Sequence, residues 1–566
     1  MEKKFTNKEI ANLLKNVSAA YQVKGKNQFQ IRAYDLAADS IEHASSEVKD
    51  LWESGQIDQI PNVGSHIANY LDEYFTTGEV KHFEEIFKDL PESMFDLLQV
   101  PGVGPKTSLK IAEAGVVSIG DLESRIKSGW LLKKGFGEKT LNNILRGVEE
   151  FKRKSDRILL PIAGETAKQV VEYLKKHKDV LAADPLGSLR RRVATVGDVD
   201  ISVASNKPKH VIDYFKKYPG VQDIIEAGER TATISLPSGI RVDLMAQPPD
   251  HYGSLLHHFT GSKSHNIHMR SLAKEKGYSI SEYGIKEIKS GKIIKCKTED
   301  EVYSLLGMQT PPPELREDTG EIEAALEHKL PKLIEVGDIK GDMQTHSIWS
   351  DGQNTIKEMA DTAASLGREY IALTDHSYPS TDFTKRIKEI EQYNYSQDKI
   401  RVISGLEVNI NSDCSLQVSD DILAKHSVVL VSIHTSFRQS KAEMTKRIIT
   451  ALQNPHVDIF AHPTGRLLLE REGIDADWEV VFKTAKNFGK IIEINAFPNR
   501  LDLPDNLIRE AKRFGVMFSI GTDSHQAGQL DLMEYGVANA RRGWLEKADV
   551  INTLPYAKLR AILRID

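Results

Sequence analysis

Asp198 and Asp200 stand two apart in Val-Gly-Asp-Val-Asp, just after the run Gly187-Ser188-Leu189-Arg190-Arg191-Arg192. Alternation along a strand points residues i and i+2 to one face, so the two carboxylates project together. Side by side they repel unless a divalent cation sits between them. Asp243, in Arg-Val-Asp-Leu on a later strand, would complete a set for two Mg²⁺ ions that activate a hydroxyl and stabilise a pyrophosphate leaving group. Gly187 and Ser188 can hydrogen-bond triphosphate oxygens, and Arg191 offers a fixed charged fork. Asp-x-Asp often only caps a strand end, but the upstream Gly-Ser and the third aspartate favour chemistry.

A second constellation fills the C-terminal part. Gln344 and His346 are followed by Asp351, the pair Asp375-His376, Glu407, His434, His462, Glu493, and Asp523 with His525. Most fall at the ends of short apolar runs. Imidazole and carboxylate groups suit Zn²⁺, Mn²⁺ or Fe, and more than four of them imply more than one metal. A single buried histidine is usually a hydrogen-bonded core residue. Histidines ending successive strands have no comparable structural excuse.

The elements that must position these groups differ along the chain. Residues 1 to about 155 read as helical, with a recurring apolar lead, a Gly-x-Gly-like turn and a helix. The copies are Ile60-Pro61-Asn62-Val63-Gly64-Ser65, Val100-Pro101-Gly102-Val103-Gly104-Pro105-Lys106-Thr107 and Lys134-Gly135-Phe136-Gly137-Glu138-Lys139-Thr140. Small residues permit a tight turn and close approach, and the following helix aims free N–H groups at an anion. Each copy resembles a helix-hairpin-helix, which grips DNA phosphates without reading sequence. From Leu181 the texture becomes strand-like: Val199–Val203, Thr231–Leu236 and Gly239–Leu244. Thr310-Pro311-Pro312-Pro313-Glu314 must be extended, and the charged stretch to about Leu330 reads as a linker. Beyond it, runs at Ile371–Thr374, Val402–Leu406, Val428–Ile433, Asp458–Ala461, Ile491–Ile494 and Met517–Ile520 alternate with helical segments, the pattern of a parallel α/β barrel. Catalytic residues of such a barrel cluster at the C-terminal strand ends, so the late ligand-type residues would converge.

With His258-Phe259-Thr260-Gly261-Ser262-Lys263-Ser264-His265-Asn266-Ile267-His268-Met269-Arg270 added to the Asp triad, residues 1 to about 315 closely resemble a family X (DNA polymerase beta-like) DNA polymerase. The resemblance implies that Asp198, Asp200 and Asp243 bind catalytic Mg²⁺ or Mn²⁺, and that Gly187, Ser188, Arg191 and Gly197 contact nucleotide phosphates. His258 stands where the family usually has Tyr; with Phe259 and Gly261 it would form a sugar-sensing wall. Asn266 and Arg270, four apart on a helix, would contact the base and the template minor groove. Backbone contacts would come from Asn62, Val63, Gly64, Gly102, Val103, Gly104, Lys106, Gly135, Gly137 and Lys139. Tyr70 occupies the position of the Schiff-base lysine of relatives that excise 5′-deoxyribose phosphate, so that lyase chemistry is not expected.

Residues 336 to 566 resemble a PHP (polymerase and histidinol phosphatase) domain. By that resemblance one metal takes Gln344, His346, Glu407 and Asp523. A second shares Glu407 and adds His434 and His462, and a third uses Asp351, His376 and His525. Mn²⁺, Zn²⁺ or Fe would fill these three sites, with Asp375, Glu493 and Asn495 behind the ligands. Gln344 stands where the phosphatases have His, and a neutral oxygen binds metal less tightly.

The implied organisation is multidomain. A helical DNA-binding region (1–85) precedes a helix-hairpin-helix domain (86–155), and an α+β nucleotidyltransferase palm (156–255) precedes a small thumb-like domain (256–315). A linker (316–335) and a distorted TIM-like barrel (336–566) complete it. The implied function is gap-filling DNA synthesis in repair on gapped or primer-template DNA with dNTPs, plus 3′–5′ exonucleolysis by the barrel. A small-molecule phosphatase, an inactive metal-stabilised scaffold and a non-enzymatic DNA-bridging protein are the alternatives.

Composition agrees. A chain of 566 residues exceeds one core. With 40% hydrophobic and 28% charged residues, it is neither a membrane bundle nor a disordered chain. The net charge of −6 is indifferent to nucleic acid, because a basic groove can coexist with acidic surface. Cys296 and Cys414, the only cysteines, are too few for a disulfide scaffold. No signal peptide or membrane-length apolar run is evident, so a cytoplasmic setting is expected.

Overall fold

The computed structural model describes residues 7–42, 48–53, 57, 60, 62–155, 157–378 and 381–563. They divide into two compact units, Met1–Asp156 and Arg157–Asp566.

The first unit is helical, with no strand among the described residues. Helices Asn7–Val23, Gln28–Glu42 and Ser65–Thr77 each present a stripe at helical spacing, such as Ile10, Leu14 and Val17 or Ile67, Leu71 and Phe75, to one core. A second core gathers Ile111, Leu122, Ile126, Leu141, Ile144 and Val148 from helices Pro105–Glu113, Ile119–Lys127 and Glu138–Ser155.

The second unit opens with a five-stranded sheet in the order Ala182–Pro185, Val199–Ala204, Arg241–Gln247, Thr231–Ser235, Asp223–Ala227 among the described residues. Val199, Ile201 and Val203 face helix Leu160–Lys175 and its core, which leaves Asp200 on the opposite face. The strand expected from Gly239 begins at Arg241, because Gly239 makes the turn with φ +79°. Helices Tyr252–Thr260 and Lys263–Glu275 and a three-stranded antiparallel sheet follow.

The stretch 316–335, expected as a linker, is instead folded in. Helix Glu321–Leu326 buries Ile322 and Ala325 in the core of the preceding small domain. Two of its charges are buried and paired: Arg316 bonds Glu299 and the Pro311 carbonyl, and Glu321 accepts from His265 Nδ1 at 2.6 Å. A buried ion pair reads in sequence like solvated surface.

Among the described residues, seven parallel strands in sequential order then form the barrel, from Gly341–Thr345 through Tyr370–Leu373, Arg401–Asn409, Val428–Ser432, Ile459–Phe460 and Ile491–Asn495 to Met517–Gly521. The last six coincide with the expected runs. The first lacks an apolar run and is set by pairing with its neighbour. Closure comes from His346 N–H donating to the Ser524 carbonyl (2.8 Å) and Asp523 N–H to that of Gln344 (2.9 Å). Among the described residues no helix is long and apolar enough to cross a membrane.

Candidate functional site

The parallel pairing of Val199–Ala204 with Arg241–Gln247 puts Asp200 directly opposite Asp243. Asp198 lies just before the first of these strands. Burial, reinforced by the negative charges of Asp198 and Asp243, pushes the Asp200 carboxyl up to about 7. Like charge around a buried carboxyl disfavours its ionised form. Thr233, on the other side of Asp243, hydrogen-bonds it. Gly187 arches over Asp200 at φ +59°, where a Cβ would run into the Asp200 carboxylate. Ser188 and Arg191 line a pocket of about 410 Å³ together with Arg157, a residue that sequence reasoning missed. Arg191 is already engaged: Nε donates to Glu317 at 2.8 Å and Nη1 to the Thr260 carbonyl at 2.8 Å. Gly197 is exposed at the strand entry.

His258 packs edge-on against Phe259, ring centroids 4.8 Å apart. The Asn266 amide is turned inward and donates to the carbonyls of His258 (2.8 Å) and Gly261 (3.1 Å), tying the wall to the next helix. Arg270, one turn on, is exposed.

In the barrel, Gln344, His346, His376, Glu407, His434, His462, Asp523 and His525 all sit at or just beyond the C-terminal strand ends. Among the described residues, three groups form with ligand atoms within 4.8 Å of one another: His346, Glu407 and Asp523; His376, Glu407 and His434; and His346, Asp351, His376 and His525. Glu407 is the hub. Its Oε1 lies 2.9 Å from His462 Nε2 and 3.2 Å from His434 Nε2, and its Oε2 lies 3.4 Å from His346 Nε2. Burial alone would raise its carboxyl, but His376, His434 and His462 outweigh that and hold it well below the carboxylate range. Burial likewise opposes charge on His376, yet Asp351 and Glu407 lift it to about 10.

The donor set fits divalent metal. Buried His346 Nδ1 and His462 Nδ1 have no hydrogen-bond partner among the described residues, and acids and imidazoles converge where water is largely excluded. Gln344 reaches the hub with its amide, Nε2 donating to Glu407 Oε2 at 2.9 Å. Asp342, two residues earlier, instead ties barrel closure by accepting from Thr522. Asn495 bridges Asp523 and Gln344, Glu493 accepts from the His462 N–H, and Asp375 is held by Arg386 and Ser347. Two neighbours escaped sequence reasoning. Arg500 Nε lies 3.6 Å from Asp523, and Tyr378, two positions beyond His376, hydrogen-bonds Asp351.

In the helical unit the three hairpins share one geometry. Asn62, Gly102 and Gly135 take φ of +63°, +84° and +89°, and helices begin at Ser65, Pro105 and Glu138. Asn is the non-glycine residue that best tolerates this conformation. Pro61 lies outside the described residues. Val63 and Val103 are buried. Gly64, Gly104 and Gly137 precede the helices, with Lys106 and Lys139 in the first turns. Tyr70 is stacked on His82 (5.0 Å, 8°) within an aromatic cluster that includes Phe83.

Family models match four stretches of the chain. Residues 5–80 match the helix-hairpin-helix domain and 94–150 a SAM-like helix-hairpin-helix tandem. Residues 255–317 match the DNA polymerase beta thumb and 342–496 the PHP domain. The DNA polymerase/3′–5′ exonuclease PolX of Bacillus subtilis (strain 168) is 34% identical over 98% of this chain and 99% of its own length. DNA polymerase lambda of Rattus norvegicus is 23% identical over 53% of this chain and 55% of its own. A protein named "Probable phosphatase" from Acetivibrio thermocellus is 32% identical over 34% of this chain and 82% of its own.

Proposed function

Because this chain belongs to the family X DNA polymerases that carry a C-terminal PHP domain, we propose that it fills short gaps in DNA during repair and trims 3′ ends, with one carboxylate centre for each activity. The observation that carries the division of labour is the presence of two separate acidic clusters. One is the Asp200–Asp243 pair on the open sheet; the other is the Glu407 hub at the barrel mouth.

In synthesis, Asp198, Asp200 and Asp243 hold Mg²⁺ or Mn²⁺. Gly187, Ser188, Arg191 and Gly197 receive the dNTP phosphates, His258, Phe259 and Gly261 face the sugar, and Asn266 and Arg270 face the base and template. Divalent ions supply Lewis-acid charge neutralisation at phosphorus in both centres. In the barrel, Gln344, His346, Glu407 and Asp523 form one site, Glu407, His434 and His462 a second, and Asp351, His376 and His525 a third, for Mn²⁺, Zn²⁺ or Fe. The hairpins hold gapped or primer-template DNA by its backbone. This reading divides the chain at residues 1–85, 86–155, 156–255, 256–335 and 336–566, and it goes with a cytoplasmic setting.

Primer extension and 3′-end degradation, assayed on gapped and on 3′-mispaired substrates with Mg²⁺ and Mn²⁺, test it. Replacing Asp198 and Asp200 by Ala is expected to abolish synthesis and spare degradation; His346→Ala or Asp523→Ala is expected to do the reverse. Loss of both activities from either change in a folded protein refutes the division. A barrel that prefers a soluble phosphomonoester to a DNA end refutes the exonuclease half.

A further inference from the structure

Arg191 is braced from the far end of the chain. Its Nε is held by Glu317 Oε1 at 2.8 Å, and the same oxygen accepts from Arg542 Nη1 at 3.0 Å. Arg542 Nη1 also donates to the main-chain carbonyl of Arg191 at 2.8 Å, and its Nη2 is anchored on Asp505 at 2.5 Å. Arg542 is 8% exposed and ends helix Met533–Arg542 of the barrel domain. Its neighbour Arg541 grips Glu314 at 2.8 Å. Two consecutive arginines of a barrel helix thus hold two acids at the end of the stretch that matches the polymerase thumb. Glu317 passes that hold to the palm.

The consequence for Arg191 is geometric. With Nε on Glu317, Nη1 on the Thr260 carbonyl and its own carbonyl pinned by Arg542, the guanidinium loses its rotational freedom. It borders the pocket that also receives Ser188, Arg157, Arg509 and Arg542. An arginine on four rotatable bonds forfeits rotamer entropy on grasping a phosphate, and a brace removes that cost in advance. Deepening the palm reading above, on which it rests, we propose that Arg542 of the barrel domain is a positioning residue for DNA synthesis. It acts through Glu317 and the Arg191 carbonyl to hold Arg191 for the nucleotide triphosphate.

Steady-state synthesis by the full chain, with KM for dNTP and for primer-template measured separately, tests the brace. Arg542→Gln and Glu317→Gln are each expected to raise the dNTP KM about tenfold. The primer-template KM and 3′-end degradation should stay within about twofold, and Arg542→Lys should recover part of the loss. The double variant should be no worse than either single variant, because the two residues act as one unit. In an Arg191→Ala background, Arg542→Gln should add nothing. Inorganic tripolyphosphate, as a competitive inhibitor, should weaken in parallel. A lower dNTP KM in Glu317→Gln would make Glu317 a competitor of the triphosphate and overturn the brace. An additive effect of Arg542→Gln on Arg191→Ala would make Arg542 a direct phosphate ligand and overturn it too. If Ser188→Ala and Arg191→Ala leave the dNTP KM unchanged, it is the palm reading that fails.

Discussion

Single side chains decide what each centre can hold. Gly187 has to be glycine: its φ of +59° disfavours any side chain, and a Cβ would meet the Asp200 carboxylate. Gly187→Ala is therefore expected to cut kcat/KM for dNTP about a hundredfold, equivalent to about 3 kcal/mol of transition-state stabilisation, with 3′-end degradation intact. Parallel steady-state assays of the two activities check this. Gln344 takes a position where imidazole would be a better donor, and it already lies against Glu407 and Asn495. Gln344→His is expected to lower the Mn²⁺ concentration giving half-maximal degradation by about tenfold, as altered ligand shells do. Titration of activity and of bound metal with Mn²⁺ reads it. No change in either would show that this position takes no part in holding the ion.

Among elements, the hairpins and the barrel strands present opposite cases. Three turns with one left-handed residue each start a helix in the same register, and Lys106 and Lys139 sit in the first turns of two of them. Backbone N–H groups at these starts and the nearby lysines suit phosphates of any sequence. Lys106→Ala and Lys139→Ala should each weaken duplex binding equally on unrelated sequences and reduce the slope of log K against log salt by about 1. Fluorescence anisotropy at several salt concentrations measures both. The hairpin spacing was legible because a glycine, or Asn62, stands at the position of each turn that takes a positive φ. The first barrel strand was not legible. Gly341-Asp342-Met343-Gln344-Thr345 carries one large apolar residue, and only pairing with Tyr370–Leu373 and closure against Ser524 make it a strand.

At the level of the molecule, charge buried between distant segments holds the second unit together. Glu299 accepts from Arg190 of the palm at 2.5 Å and also pairs with Arg316, a fully buried arginine of the stretch expected as a linker. Burial raises the Glu299 carboxyl, but Arg316 and Arg190 outweigh it and hold it at about 2, below its usual 4.5. A carboxyl depressed on folding contributes stability above its unfolded value, and that contribution is lost as pH falls through 4.5 toward 2. Glu299→Gln leaves the buried Arg316 and the half-buried Arg190 short of a partner, so at pH 7 it is expected to cost about 3 kcal/mol. The difference from the parent chain should shrink steadily below pH 4.5. Denaturant unfolding at a series of pH values tests this, and a pH-independent difference would refute it.

The order of residues by itself determined the repeated β-α pattern, the hairpins and which acids and histidines stand at the strand ends. Those features are local: a period of two or of helical length, a glycine where φ must be positive, a histidine or acid at the end of an apolar run. Tertiary structure alone decided the register that sets Asp200 against Asp243, and that Glu317 and Arg542 share a load with Arg191. Burial turns scattered charges into partners. Which charges meet depends on strand register and on contacts between segments hundreds of residues apart, and no local pattern encodes that.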